Sequence, residues 1–122
     1  MIYDSLPSFD RDFKKLLKRF RTLDADFDML KKISLKAFHE LGIKTDDPVE
    51  IQGACSKTFK SYKVRNFACK SLPGRGKQSG LRVIYVHQPG KDTITFVEIY
   101  FKADKENEDK ARLKKFISGL KG

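Results

Sequence analysis

The sequence predicts an α+β domain, with helices packed on an antiparallel sheet. Three observations carry this. Apolar residues recur at helical spacing over residues 9–41 and again over 111–120. Between them lie three runs rich in β-branched and aromatic residues: Tyr62 to Lys70, Leu81 to His87 and Thr93 to Lys102. The turn-forming Gln88-Pro-Gly-Lys-Asp92 separates the last two runs, so the simplest pairing is an antiparallel meander. With 122 residues, 39% of them apolar and ten of them Phe, residues 1–122 read as one domain able to bury a single core.

Taken in order, Ile2 and Tyr3 suit a short strand, which Leu6-Pro7-Ser8 interrupts. Ser8 is an N-cap candidate, and Asp10 and Asp12 would sit in the first turn, where the helix dipole favours acids. Phe9, Phe13, Leu16, Leu17, Phe20 and Leu23 then form an apolar stripe opposite a basic face. A second helix opens at Asp24 or Asp26, turns Phe27, Leu30, Ile33, Phe38 and Leu41 inward, and stops at Gly42. The short link between the two helices predicts an antiparallel hairpin. Residues 43–50 read as a loop.

In the first β-rich run, Tyr62 and Val64 alternate with Lys63 and Arg65, giving one apolar face and one basic face. Phe67 and Cys69 then fall on the basic side, which implies either a bulge near Asn66 or a second small apolar patch. A last helix opens in the acidic stretch Asp104 to Glu108 and turns Ala111, Leu113, Phe116, Ile117 and Leu120 inward. The expected architecture is an N-terminal helical hairpin and a C-terminal helix on one face of a sheet of three to four strands.

Charge is concentrated. Residues 51–91 contain nine Lys and Arg and no Asp or Glu, whereas the remaining 17 bases face 16 acids. With a net charge of +10, such a one-sided field points to a polyanionic partner. No apolar run approaches the roughly 18–20 residues needed to span a bilayer, and Met-Ile-Tyr-Asp-Ser lacks the pattern of a signal peptide. A cytoplasmic protein without membrane contact is expected. Cys55 and Cys69 read as a reduced, buried pair. His39 and His87 lie in unrelated segments, so no metal and no cofactor are expected.

The element order, with Tyr62-Lys-Val-Arg65, Leu81-Arg-Val-Ile-Tyr85, Ser8-Phe-Asp-Arg-Asp-Phe-Lys-Lys-Leu16 and Ile99-Tyr-Phe-Lys102, resembles the RelE/ParE superfamily of bacterial toxins. The HigB/RelE-like branch is the nearest in flavour, with Ala68-Cys-Lys-Ser-Leu and Gly74-Arg-Gly-Lys forming a basic loop. The resemblance implies the toxin of a type II toxin–antitoxin system. Such a toxin is an endoribonuclease (mRNA interferase) that cuts mRNA on the ribosome and is silenced by a cognate antitoxin. It also implies site positions: Lys63 and Arg65 on the first long strand, Arg82 opening the next, and Lys102 ending the last. No Tyr follows Tyr100, where members of the RelE type carry a late one. ParE-like members instead inhibit DNA gyrase without catalysis, and a non-catalytic RNA-binding module is a further alternative.

Cleavage by the RNA's own 2′-hydroxyl needs a base, charge stabilisation at phosphorus and an acid for the leaving oxygen. Clustered cations meet the second need and would depress the pKa of a Lys among them. Lys63 is therefore the expected base, with Arg65 and Arg82 clamping phosphate and Lys102 as a fourth member. Lys60, Lys70, Arg75 and Lys77 are expected to contact RNA backbone. Tyr85 has two open roles, stacking on a base or packing in the core. Glu98, if it faces the basic side, would pair with Arg82 or act as a base. His87 is either a general acid or a surface residue, and His39 is structural.

Overall fold

The structure is a computed structural model that describes residues 1–72 and 79–121. The class is α+β, and the sheet is larger than the sequence suggests. Five strands run in the order β1-β5-β4-β3-β2: β1 (Ile2–Ser5), β2 (Val49–Cys55), β3 (Lys60–Val64), β4 (Leu81–Gln88) and β5 (Thr93–Phe101). The expected meander is there as β3-β4-β5, antiparallel throughout. β1 pairs with β5 in parallel, so the sheet is mixed. β2 occupies part of the stretch read as a loop and forms the opposite edge, with an irregular register against β3.

Helix α1 (Pro7–Arg19) begins one residue before the expected cap: Leu6 takes the N-cap position and Pro7 sits at the first helical position. Proline suits that place because its missing N–H would have no helical partner there. Phe9, Leu16, Phe20 and Leu23 are buried, as the stripe predicts. The second helical segment starts as α2 (Leu23–Met29), continues as π-helix over Leu30–Leu35 and closes with α3 (Lys36–His39). The π stretch corrects the expected inner face. Ile33 is 56% and Leu41 63% exposed, whereas Leu35 is fully buried. Wider winding moves the buried position after Leu30 on to Leu35.

The helices do not share one face of the sheet. Tyr62, Val64, Leu81, Val83, Tyr85, Ile94, Phe96, Ile99 and Phe101 pack against the N-terminal helices. Ile84, Val86, Val97 and Tyr100 pack on the other face with Leu113 and Ile117 of α4 (Lys110–Lys121). The last helix thus starts after the acidic stretch, and residues 102–109 form an arm leading to it. A β-bulge lets β5 serve both layers: Ile84 pairs with Glu98 and Tyr85 with Phe96, leaving Val97 as the extra residue.

β3 stops at Val64, earlier than the run to Lys70 suggests. The chain then turns back so that Phe67 and Cys69 join the main core under the N-terminal helices, which is neither a bulge within the strand nor a second apolar patch. Thr22 and Asp26 hold this return: Asp26 accepts the Lys70 N–H at 3.0 Å and Thr22 Oγ1 accepts the Ser71 N–H at 2.9 Å. Cys69 is buried and Cys55 exposed, so the two thiols do not form the expected buried pair.

Candidate anion-binding site

Alternation along the strands decides which basic residues meet. Lys63 lies opposite Ile84 and Arg82 opposite Tyr100, and Ile84 and Tyr100 both face α4. Arg65 follows Lys63 by two residues, and Lys102 follows Tyr100 by two. Arg65, Arg82 and Lys102 line one open depression of about 440 Å³, completed by Asn66 and Gly80. None of these five residues is acidic. Among the described residues, the three cations have no carboxylate within ion-pair distance.

Backbone contacts fix the walls of the depression. Asp47 accepts the Arg65 and Asn66 N–H groups at 2.8 and 3.1 Å, holding the end of β3. The Arg82 guanidinium donates to the Arg65 carbonyl at 2.9 Å, so one arginine braces the other. Lys102 donates its N–H to the Gly80 carbonyl at 2.8 Å. Gly80 has φ of +91°, and a Cβ there would stand 3.1 Å from the Phe101 ring. A side chain would therefore be strained twice over, by the backbone and by the ring.

Lys63 faces the same layer but in a different state from the one expected. Its ammonium is 2.9 Å from a Glu108 carboxylate oxygen. Burial lowers its pKa, but the hydrogen bond of Glu108, with the charge and hydrogen-bonding of Tyr100 and Glu108 together, outweighs this, and the net shift is upward. A lysine held protonated at neutral pH is not a general base, so that assignment is corrected. Beside it, the Tyr100 hydroxyl is buried with the Lys63 ammonium at its oxygen, and its own proton has no acceptor among the described residues. Burial raises the Tyr100 pKa, with the Lys63 charge opposing.

The remaining candidates lie elsewhere. Tyr85 is fully buried under the N-terminal helices, and its hydroxyl shares a hydrogen bond of 2.7 Å with His39 Nε2. It cannot stack on a base, and its RNA role is corrected to core packing. Lys60 pairs with Glu50 at 3.3 Å, and its alternation with Lys63 puts it on the opposite face of β3. The Lys70 backbone is tied to α2 through Asp26. Arg75 and Lys77 lie outside the described residues. Glu98 does face α4, yet it pairs with Lys105 and accepts the Asp109 N–H at 2.7 Å; Arg82 is not its partner.

Two groupings escaped the sequence reading. His39 and His87 lie in contact, their rings tilted with centroids 4.2 Å apart. A groove of about 620 Å³ between β1, α1 and α2 has Phe9, Phe27 and Phe96 in its floor, is edged by both signs of charge, and holds none of the expected site residues. Among the described residues no His, Cys, Asp and Glu group has metal-site geometry, and no helix is long and apolar enough to cross a membrane. Comparison with protein-family models, curated proteins and solved structures returned no match.

Proposed function

We propose that this chain grips the ribose-phosphate backbone of RNA and acts as a ribosome-dependent mRNA endonuclease, a RelE-like toxin held in check by an antitoxin protein. The observation that supports the reading is the convergence of Arg65, Arg82 and Lys102 on one acid-free depression. Two planar guanidinium groups beside an ammonium suit a phosphodiester, which accepts paired hydrogen bonds and gains charge as a 2′-oxygen attacks phosphorus. In this mechanism the three cations stabilise the pentacoordinate phosphorus, while the 2′-hydroxyl proton passes to solvent and solvent protonates the leaving 5′-oxygen as its bond to phosphorus breaks. Lys63 contributes positive charge and not proton abstraction.

A second reading has its own support: among the described residues lining the depression there is no carboxylate or histidine to serve as a general base. In that case the protein binds RNA without cutting it.

Arg65→Ala and Arg82→Ala separate these readings from each other and from a solvated surface. For an endonuclease, cleavage on translating ribosomes falls about 10²-fold or more in each variant, as when one transition-state donor is removed. For a binder, wild-type transcripts stay intact while RNA affinity drops about ten- to a hundredfold, the loss of one charged hydrogen bond. RNA affinity and cleavage both unaltered by the two substitutions would remove the site.

A further inference from the structure

The arm of residues 102–109 is clipped to the sheet and to the end of α1 by charge. Asp104 pairs with Arg19, Lys105 with Glu98, and Glu108 with Lys63. Just beyond it, the Arg112 guanidinium bonds Asp12 at 2.5 Å and the Val97 carbonyl at 3.1 Å. Most of these contacts join groups that complete one another. The exception is the set around Lys63. There the arm brings in a carboxylate, and the neighbouring Tyr100 hydroxyl is left buried beside Lys63 without an acceptor for its proton. A buried hydroxyl without an acceptor is unfavourable, and this one stands next to the face that carries Arg65 and Arg82.

A carboxylate and a phosphate oxygen place similar demands on a lysine. We propose that Glu108 occupies a second phosphate position, built from the Lys63 ammonium and the Tyr100 hydroxyl and continuous with the Arg65–Arg82–Lys102 depression. RNA fills this position when the arm lifts. The inference rests on the phosphate-binding reading above and extends it from one phosphate to two neighbouring ones. Lys63 and Arg65 are two residues apart at the end of β3, and Arg82 and Tyr100 are cross-strand partners. A strand seated on the first three cations therefore runs directly towards the fourth. On arrival its phosphate displaces Glu108 from Lys63, and the orphaned phenol gains an acceptor.

The test uses a short 2′-O-methyl oligoribonucleotide, which lacks the attacking hydroxyl and so reports binding alone. Affinity is measured from about 50 to 200 mM salt for the full chain, Glu108→Gln and Glu106→Gln. Glu106 lies on the same arm, is exposed and touches no described cation, so its variant matches the change in net charge. Glu108→Gln should bind about tenfold tighter at the lower salt, the worth of one charged hydrogen bond. Its log–log salt slope should steepen by about 0.7, one further phosphate on a single strand. Glu106→Gln should leave the slope unchanged. Adding Lys63→Met to Glu108→Gln should cancel the extra slope, while adding Tyr100→Phe should lower affinity and keep it.

Equal behaviour of Glu108→Gln and Glu106→Gln would overturn the second position, as would a gain that survives Lys63→Met. Loss of binding in Arg65→Ala and Arg82→Ala would then show that the first position stands alone. No binding by any form at any salt would overturn both readings together. Melting curves for each variant confirm that the comparison is made on folded protein.

Discussion

His39 has a chemical setting that its sequence neighbours do not announce. The ring is hydrogen-bonded to the Tyr85 hydroxyl and lies tilted against His87, which arrives from β4. Its pKa is pushed down to about 3, first by burial and then by the charges of His87 and Lys44. His87 is lowered too, by burial and Lys44, with Asp92 opposing. An unfolded histidine titrates near 6.5, so the native state binds fewer protons than the unfolded chain below that pH. The contribution of His39 is complete above about pH 6.5 and is lost as pH falls towards 3. Melting temperature should therefore drop between pH 7.5 and 5.5, a range that spares most carboxylates. In His39→Gln, which can still bond Tyr85, the drop should shrink. An equal drop in both proteins would clear His39 of the effect.

The same scale shows how far charge could be read along the chain. The acid-free window did identify Arg65 and Arg82, which remain without carboxylate partners. It misjudged Lys60 and Lys63, because Glu50 and Glu108 are distant or just outside the window in sequence and adjacent in space. A run lacking acids gives the local supply of charge. It does not reveal which acids the fold delivers from other elements.

Among the elements, the second helical segment separates what periodicity can give from what it cannot. A repeat of 3.6 residues reaches from Leu30 to Ile33, while the π-helical stretch places Leu35 in the core. One wider turn leaves no mark in composition, so the sequence alone favours the wrong residue. The structure makes a sharp distinction between them. Leu35→Ala should cost about 2–5 kcal/mol in a urea titration, the range for truncating a fully buried leucine. Ile33→Ala should stay within about 0.5 kcal/mol, as for an exposed position. Reversed costs would mean that the helix winds regularly. β2 went unread for a different reason. Val49–Cys55 is an edge strand, mostly exposed, with Gly53 at φ of +82° and an irregular register. None of that produces the alternation by which strands are recognised.

For the whole molecule, the decisive fact is that β4 and β5 are covered on both sides. The sequence held a sign of it: Thr93-Ile-Thr-Phe-Val-Glu-Ile-Tyr-Phe101 is almost continuously apolar, and every one of its residues is buried. A sheet with one wet face would alternate there, whereas continuous runs belong to strands buried twice. The alternation of Lys63 and Arg65 with Tyr62 and Val64, in and just after β3, pointed the other way. It did so because the α4 layer over the end of that strand is sealed by ion pairs, with Glu108 set against Lys63. Ile84 tests the three-layer arrangement, since it is fully buried and packs in the α4 cluster. If α4 is a structural layer, Ile84→Ala should destabilise the protein by about 2–5 kcal/mol, as much as truncation within the opposite core. A cost below about 0.5 kcal/mol would mean that this face of the sheet is solvated and that α4 lies elsewhere. The same layer supports the candidate site: α4 fixes one end of the arm, so the position of Glu108 over Lys63 depends on a helix being anchored where Ile84 meets it. Weakening that anchor should loosen the arm as well, and Ile84→Ala should then bind the 2′-O-methyl oligonucleotide with a steeper salt slope, approaching that of Glu108→Gln.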